Sequence, residues 1–547
     1  MTQSTEQTPL ASRAAEANTT HVDRVDTRAA GIVGLAVMCS RVLGLVREQV
    51  FAALFGGGRA MDAFTVAFRV PNLLRDMFAE GALSTAFVTT FSKTIATHGE
   101  QAAWRLACKV ATLATVFLSG ICVVGITVAP FIIAITAPGF DHDKAALTVT
   151  LARVMYPFIL LVSLAALVMG MLNARSVFGV PAMASSFFNI GSIIGGVSLG
   201  WWLDPHFGSR ALLGLAMGTL IGGAMQLLVQ VPSLYRLGFR YRPDFYWRDP
   251  GVRNILGLMG PAIIAASSVQ VNVLVNSMFA STLGDGPIFW LAIAFRLMQL
   301  PLGVFGVALG TVALPVLARM IAHNKVQEFK TELARAMRLS FVLTLPATVG
   351  LIILAEPILS VLYQHGRFGA FETSQAAGAL QCYAIGLCAY AAMKVLVNAF
   401  YAIDKRRTPM MVSLGAIGLN LFLSWLFTFH LGLGHRGLAL STGCVATTNF
   451  LILYLLMHRR LKTLDTRLMA ITLAKIGVAC IVLGVVAWTG KQWLLADWAH
   501  QRLVPKTVFL LGIIAAAGSA FYATALALRV QEITALTQTV LRKLRRR

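Results

Sequence analysis

Charged side chains inside long apolar runs are the part of this 547-residue sequence best suited to chemistry. Each such charge costs at least ~2.5–3.5 kcal/mol at the centre of a bilayer, so its presence indicates a functional site. Most of these residues fall in the first two runs, and most are basic. The charged residues within the runs are Arg41, Arg47, Glu48, Asp62, Arg69, Arg75, Asp76, Glu80, Arg296 and Lys394.

Arginine is the residue type that best suits a phosphate ligand. Its guanidinium stays charged at physiological pH, and its planar fork of donors fits phosphate oxygens. Several arginines that converge on a water-filled cavity would hold a diphosphate with about two to three negative charges. The alternative is structural. In that case the arginines pair with acids as struts between helices, and Asp62 caps a helix N-terminus. The acids available for such pairs are Glu48, Asp62, Asp76 and Glu80.

Helical spacing limits which arginines can face one cavity. Arg41 and Arg47 are six residues apart, which separates them by ~120° around an ideal helix. We expect the first helix to bend or widen at Gly44 if both face the same cavity. In the second run, Pro71 would provide the kink that its two arginines need. Arg41 and Glu48, seven residues apart, share a face of the first helix.

Other motifs of catalysis or ligand binding are missing or poorly placed. The sequence has no GxxxxGK[ST] motif and therefore predicts no nucleotide motor, and it also lacks HExxH and GxSxG. Residues 432–437 fit GxGxxG but lie in a predicted outer loop with no strand before them. The seven cysteines are scattered without CxxC or Cys/His spacing, so we predict no metal site and no catalytic residue.

The elements that must position these residues are membrane helices. Apolar residues make up 57% of the chain and charged residues 13%, against ~25% charged residues in soluble domains. The apolar residues fall in runs of about twenty, which predicts an all-α integral membrane protein with about 14 transmembrane helices. The predicted spans are 29–54, 62–91, 105–136, 146–173, 178–202, 211–235, 252–283, 287–319, 338–363, 374–401, 409–430, 437–457, 468–489 and 506–528.

The basic excess, a net charge of +23, follows the loops between the spans. Alternate gaps are rich in Lys and Arg, whereas the gaps between them are short and nearly neutral. This pattern matches the positive-inside rule with both termini in the cytoplasm. No stretch pairs basic and aromatic residues as a stacking platform, so nucleic acid is not an expected partner. Residues 1–28 are polar and predict a disordered cytoplasmic tail.

A weak internal repeat at an offset near 227 residues divides the chain into two halves. Pro130 and Gly139 recur at this offset as Pro357 and Gly366. Six helices per repeat is an even number, so both repeats have the same orientation, related by an axis along the membrane normal. The predicted organisation is two six-helix lobes at 29–235 and 236–460, two extra helices within 461–530, and a basic cytoplasmic tail at 531–547.

Several segments resemble the MurJ (MviN) family of lipid II flippases. The most specific are SRVLGLVRE at 40–48 and FRVPNLLR at 68–75. The resemblance implies a multidrug/oligosaccharidyl-lipid/polysaccharide exporter fold, in which two six-helix lobes form a V around a cationic cavity. It covers nearly the whole chain after residue 28. The segments that carry the rest of it are 62–64, 79–84, Arg296, 303–315, 365–368 and 408–409.

The resemblance also assigns roles to individual residues. The essential arginines of the family, which would bind the diphosphate, fall on Arg41, Arg47, Arg75 and Arg296. Its essential acid falls on Asp62. Residues with a gating or structural role in the cavity would be Asp62, Asn72, Glu80, Gly44 and Pro71. The two extra helices would form a groove for the polyprenyl tail.

The sequence departs from the family pattern at two positions. Gln299 stands where a glutamate is expected, and Asp76 replaces a basic residue, which lowers the charge of the cavity by two if it points inward. No cofactor is implied. Membrane potential or an ion gradient would drive transport, and the ion is left open because Asn398 has no acid four residues later. The implied partners are lipid II (undecaprenyl-diphosphate-MurNAc-pentapeptide-GlcNAc), membrane lipids and other cell-wall synthesis proteins.

These features favour a lipid II flippase of the bacterial inner membrane that works by alternating access without covalent chemistry. The alternative is an exporter of another polyprenyl-diphosphate-linked oligosaccharide, or a drug exporter of the same fold, although cation exporters need acidic cavities. A membrane-embedded glycosyl- or phosphotransferase would need acidic metal-binding or nucleophilic groups and larger loops. A structural scaffold would not explain arginines inside the membrane.

Overall fold

The computed structural model describes residues 27–76, 83–462 and 464–545, and this part of the chain is helical, without β-strands. The predicted tail at 1–28 lies outside it except for the start of the first helix. The helices are α1 (Thr27–Phe55), α2 (Arg59–Arg75), α3 (Ser84–Thr136), α4 (His142–Met155), α5 (Phe158–Ala174), α6 (Gly179–Leu203), α7 (Ala211–Leu228), α8 (Val231–Arg236), α9 (Pro250–Ser281), α10 (Pro287–Pro301), α11 (Ala308–Ala322), α12 (Val326–Tyr363), α13 (Ala370–Ile385), α14 (Leu387–Ala402), α15 (Arg407–Trp425), α16 (Gly434–Leu461), α17 (Thr466–Leu494), α18 (Leu503–Ala527) and α19 (Gln531–Arg545).

Within the described ranges, ten helical segments are long and apolar enough to cross a membrane. The number becomes eleven if α13 and α14, which meet at a 40° bend, count as one span. The chain is therefore a multi-pass membrane protein. π-helical turns interrupt the regular helices at Leu302–Val307, between α10 and α11, and at Leu426–His430, after α15.

Glycine divides the longest helix. α3 contains 53 residues, more than twice the ~20 that one bilayer crossing needs. Gly99 breaks it with φ +80° and ψ 174°, a backbone conformation that residues with a Cβ rarely adopt. Helix therefore continues through most of the predicted gap at 92–104, and the turn between the second and third spans is confined to one residue.

Local sequence also sets the start of α10. Gly284 and Gly286 have φ values of +92° and +109°, which turn the chain back after α9. Pro287 follows as the first residue of α10, where its fixed φ suits the helix and its missing N–H is not needed. The first amides of α10 have no acceptor within their own helix, so they need one from elsewhere in the structure.

Glycines allow α6 and α7 to pack with their backbones in contact. A Cβ at Gly214 would collide with the backbone of Gly200, and one at Gly218 with the backbone of Gly196. Small residues such as these allow close approach of helices in membrane proteins. α1 packs against α6 of this pair.

The two halves of the chain share one apolar core. Phe51 and Met61 in the first half belong to the same buried cluster as Phe289, Tyr363 and Phe368 in the second. These residues lie near one end of the helices, where the connections are short. The connections at this end are the ones predicted to be outer, at 56–58, 137–141, 204–210, 282–286, 364–369 and 431–433. We call this end of the helices the short-loop end.

The last three helices are attached to α12. α17 packs against α18 and α12, and Lys491 of α17 forms an ion pair with Glu356 at 2.7 Å. The predicted basic tail is helical over residues 531–545. Its start is fixed by a buried ion pair between Glu532 and Arg338, 2.5 Å apart. These helices thus extend the second half on the side of α12.

Candidate functional site

Two adjacent cavities with cationic linings lie between α1 and α10. The larger cavity has a volume of about 340 Å³ and is bounded by α1, α10, the π-helical turn at Leu302–Val307, and α14. No carboxylate is among the described residues that line it. Its polar lining consists of Ser40, Arg41, Arg296, Gln299 and Lys394.

The π-helical turn makes room for Arg41. Such wide turns often occur at functional sites, and this one begins directly after Pro301. Gly303, its second residue, faces the guanidinium of Arg41, and a Cβ at this position would collide with Nη1 of that side chain. A side chain at 303 would therefore displace the guanidinium of Arg41 from its present position in the cavity.

The smaller cavity, of about 80 Å³, surrounds an ion pair between the two halves of the chain. Arg296 of α10 pairs with Glu48 of α1, and the hydroxyl of Tyr363 donates to the same carboxylate at 3.3 Å. Arg47 lines this cavity but forms no ion pair within the described structure. Its guanidinium lies 5.0 Å from the ring centre of Phe188, a cation–π contact.

The combined lining carries a clear excess of positive charge. Arg41, Arg47, Arg296 and Lys394 contribute four cations and Glu48 one carboxylate, a net charge of +3 among the described lining residues. Arg296 lines both cavities and therefore joins them. This lining can bind an anionic group with several oxygens through charge-assisted hydrogen bonds.

α1 is one continuous helix from Thr27 to Phe55, and its Gly44 faces the side-chain amide of Asn189 on α6. That amide donates to the carbonyl of Ser40 at 3.2 Å. Since the helix is unbroken, Arg41 and Arg47 point in different directions and enter different cavities, one on each side of Arg296.

Pro71 is buried inside α2, which continues through this residue to Arg75. Arg75 forms an ion pair with Asp76 at 2.7 Å and lines neither cationic cavity, so Asp76 lowers no charge there. Asn72 is half-buried on the same helix. Glu80 lies outside the described residues.

Asp62 caps a helix, but not its own. Its buried carboxylate accepts hydrogen bonds from the amides of Gly286 at 2.7 Å and Phe289 at 2.9 Å, at the N-terminus of α10. The buried Lys144 of α4 bridges Asp62 at 3.1 Å and Asp285 at 2.7 Å. These contacts, which we call the Asp62 latch, hold the second half of the chain against the first at the short-loop end.

Further contacts close the same end. The amide of Arg367 donates to the carbonyl of Ala53 at 2.8 Å, and its guanidinium donates to the carbonyls of His206 and Phe207 at 2.6 and 2.7 Å. At the rim, Arg59 donates to Asp141 at 2.5 Å, and this hydrogen bond lowers the pKa of the exposed Asp141 carboxyl. The short-loop end is therefore shut in this conformation.

Sequence reasoning missed three residues of this arrangement. Lys394 was recognisable as a charge within an apolar run, but nothing in the sequence placed it beside Arg41. Lys144 falls in a predicted loop, and only the fold buries it between two carboxylates. Tyr363 ends a predicted span without any charge to draw attention to it. Their common signal, proximity to charged residues far away in sequence, exists only in the folded chain.

Comparison with known proteins identifies close relatives. The sequence profile of the family "Lipid II flippase MurJ" matches residues 51–509. A protein named "Probable lipid II flippase MurJ" from Buchnera aphidicola subsp. Acyrthosiphon pisum is 35% identical over 430 residues, which cover 78% of this chain and 83% of that protein. "Lipid II flippase MurJ" from Burkholderia cenocepacia is 34% identical over 475 residues, covering 86% and 90%.

Solved structures show the same architecture. A structure described as "Lipid II flippase MurJ, inward closed conformation" superimposes with a TM-score of 0.72 at 25% identity, covering 90% of this chain and 98% of that one. An inward-facing multidrug resistance MATE family transporter of the MOP superfamily gives a TM-score of 0.63 at 15% identity, covering 80% and 95%. The second similarity concerns the fold alone.

Proposed function

This chain belongs to the lipid II flippase MurJ family, and we propose that its two cationic cavities bind the diphosphate of lipid II during transfer from the cytoplasmic to the periplasmic leaflet. The chain is a transporter and not an enzyme, as members of this family are lipid flippases. Lipid II is a peptidoglycan precursor, so the activity belongs to cell-wall biogenesis. The proposal for the binding residues rests on one observation, the net charge of +3 around Arg296.

The charge of the cavities favours a diphosphate over other ligands. A diphosphate carries about two to three negative charges, which the lining matches in magnitude and opposes in sign. Of the four sequence-predicted arginines, Arg41, Arg47 and Arg296 line these cavities, and Arg75 does not. Drug exporters for organic cations would need an acidic lining, whereas Glu48 is the one carboxylate among the described lining residues.

The ion pair between Arg296 and Glu48 gives substrate binding a way to affect conformation. A diphosphate in the cavity competes with Glu48 for the guanidinium of Arg296 and so loosens a strut between α1 and α10. α10 also carries Phe289 of the Asp62 latch, seven residues or ~10.5 Å before Arg296. One rigid helix therefore links the cavity to the closed end, as alternating access requires.

Helix boundaries support the proposed parallel repeat of two six-helix lobes. α3 ends at Thr136 and α12 at Tyr363, an offset of 227 residues. The same offset separates the end of α6 at Leu203 from His430, the end of the π-helical turn that follows α15. α2 shifted by this offset falls within one residue of α10 at both ends. Equal spacing of boundaries is the expected result of duplicating a six-helix unit.

The proposed topology has fourteen membrane crossings. With α13 and α14 counted as one span, eleven segments pass the length and hydropathy test. α1, α2 together with the part of α3 before Gly99, and α9 would add three more crossings. An even number of crossings puts both termini on the same side of the bacterial inner membrane, which we propose is the cytoplasmic side. The basic gaps on that side agree with this orientation.

α17 and α18 are the proposed binding groove for the polyprenyl tail. Both present exposed apolar side chains, among them Val485, Trp488, Val508 and Leu511. A lipid tail held there would keep its hydrocarbon in the membrane while the head group crosses. We propose that membrane potential or an ion gradient drives the cycle, without a cofactor, and that other cell-wall synthesis proteins are further partners.

Complementation tests the proposed site. Arg41→Ala and Arg296→Ala should each fail to support growth of a strain depleted of its own flippase, although the variant proteins are inserted at normal levels. Arg335→Ala, which removes an exposed arginine paired with Glu332 on α12, is the matched control and should complement. Normal growth with both cavity variants would rule out the proposed site.

The accumulating precursor tests the substrate. Depletion of this protein should cause lipid II to accumulate in the cytoplasmic leaflet. Accumulation of a different polyprenyl-diphosphate-linked oligosaccharide would instead identify the protein as an exporter of that lipid.

A further inference from the structure

A third cavity, within the second half of the chain, has a different chemistry from the cationic pair. It has a volume of about 310 Å³, at the lower end of the ~300–1,000 Å³ range of ligand pockets, and lies between α9, α10, α13, α14, α15 and α16. We call it the amide cavity. Its polar lining consists of Arg69, Asn272, Asn276, Tyr383, Tyr390, Ser413, Thr442 and Asn449.

Part of this lining is already hydrogen-bonded. Asn420, just behind the cavity, donates to the carbonyl oxygens of Asn272 at 3.2 Å and Asn276 at 3.4 Å. The amide of Asn276 in turn donates to the hydroxyl of Thr442 at 3.3 Å. The network fixes the orientation of the asparagines on α9 and leaves the NH₂ group of Asn272 available.

Other polar groups in the cavity have no partner. Within the described structure, no side-chain hydrogen bond or ion pair involves Tyr383, Tyr390, Asn449 or Arg69. Tyr383 is only 5% exposed as a residue, and it lines the cavity. Polar groups that line a cavity without a protein partner can donate to or accept from a ligand held there.

The chemistry of the lining identifies the class of ligand. The available groups are neutral amides and phenols that both donate and accept, with aromatic rings from Phe295, Tyr383 and Tyr390 around them. A divalent metal ion prefers carboxylate oxygens, and none of the described lining residues supplies one. A strongly anionic group would need more than one cation, whereas Arg69 is alone here among the described residues. The lining therefore suits an uncharged ligand rich in hydroxyl and amide groups.

The amide cavity adjoins the cationic cavities. Ala292 of α10 lines both this cavity and the smaller cationic one. On α10 and on α14, two consecutive residues line different cavities. Phe295 and Met393 line the amide cavity, whereas Arg296 and Lys394 line the larger cationic cavity. One ligand can thus place an anionic part among the cations and a neutral part among the amides.

We propose that the amide cavity binds the saccharide part of the transported head group, with Arg69 at its edge placed to pair with a carboxylate of the attached peptide. This inference rests on the proposed function, because it takes the diphosphate to occupy the neighbouring cationic cavities. N-acetylated sugars carry hydroxyl and amide groups, which would form hydrogen bonds with Tyr383, Tyr390 and Asn449. The cavity would then select a glycosylated lipid diphosphate over the bare one.

Two ligands and two isosteric variants test the proposal. Affinities of the purified full chain in lipid nanodiscs are measured for lipid II and for undecaprenyl diphosphate, which lacks the saccharide. Tyr390→Phe removes one hydroxyl and keeps the ring, and it should weaken lipid II binding about tenfold while leaving undecaprenyl diphosphate unchanged. Tyr401→Phe is the matched control, because Tyr401 lies on the same helix but is 44% exposed outside the cavity, and it should change neither affinity.

Three outcomes would overturn the proposal. They are an unchanged affinity for lipid II in Tyr390→Phe and Asn449→Ala, an equal loss for both ligands, and a sodium titration in which the ion alone binds and both variants abolish its binding. Arg41→Ala tests the proposed diphosphate site separately from the amide cavity, because this variant should lower the affinity for both ligands. If Arg41→Ala had no effect on either ligand, the diphosphate site would be wrong whatever the amide cavity binds.

Discussion

Replacement of Asp62 by asparagine should loosen the short-loop end of the protein. The buried carboxylate of Asp62 accepts hydrogen bonds from the amides of Gly286 and Phe289 at 2.7 and 2.9 Å, and from Lys144 at 3.1 Å. Asparagine has the same size but no charge, and it offers one carbonyl oxygen where three donors now meet. At least one of these donors therefore loses its acceptor, and the remaining donors bond to a neutral oxygen in place of a charged one.

The expected loss follows from the contacts. A hydrogen bond to a charged group contributes about 1.5–3 kcal/mol. Removing one partner of a buried ion pair usually costs about 3–5 kcal/mol, but Lys144 keeps Asp285 at 2.7 Å and is not left alone. We therefore expect the closed state to lose about 2–3 kcal/mol, which raises the equilibrium constant for opening about 30- to 150-fold.

Hydrogen–deuterium exchange measures this opening directly. In lipid nanodiscs, the amides of Gly286 and Phe289 should exchange about 30- to 150-fold faster in Asp62→Asn than in the unmodified chain. Asp141→Asn is the control, because its exposed carboxylate pairs with Arg59 of the same half of the chain and does not bridge the two halves, so exchange at Gly286 and Phe289 should stay the same. Unchanged protection of these amides in Asp62→Asn would refute the capping argument.

Three further variants probe the cavities and the packing around them. Glu48→Gln frees Arg296 from its ion pair and should tighten binding of undecaprenyl diphosphate about tenfold, and unchanged or weaker binding would contradict the competition proposed for this guanidinium. Gly303→Val collides with the side chain of Arg41 and should abolish complementation at a normal protein level, so normal growth would argue against that contact. Gly218→Val overpacks the contact of α7 with α6 and should destabilise the protein by about 1–3 kcal/mol, read as a lower Tm in detergent; an unchanged Tm would contradict it.

The fold places the arginines of one helix in different surroundings. Gly44 and Pro71 were expected to bend their helices so that pairs of arginines could share a cavity. In the folded chain both helices continue through these residues, and the arginines of each helix go to different surroundings. The expectation assumed one cavity on one face, whereas neighbouring helices provide binding space on several faces of α1 and α2.

Asp62 illustrates the same limit. Its position at the start of an apolar run suggested a helix cap, and it is one, but the capped helix starts 224 residues later. No local pattern connects an acid in one half of the chain to amides in the other. Lys144 and Tyr363 escaped notice for the same reason, since their importance depends on neighbours that only folding provides.

The amino-acid sequence by itself determined that this is a helical membrane protein and which charges within its spans need a function. The cost of placing an apolar run in water, or a charge in hydrocarbon, depends on local composition and is therefore readable along the chain. Only the tertiary structure decided which charges are neutralised: Arg296 pairs with Glu48 and Arg75 with Asp76, while Arg41 and Arg47 have no carboxylate partner among the described residues. Such pairing depends on the directions and distances that helix packing sets between residues far apart in sequence, and charge energies change steeply with both.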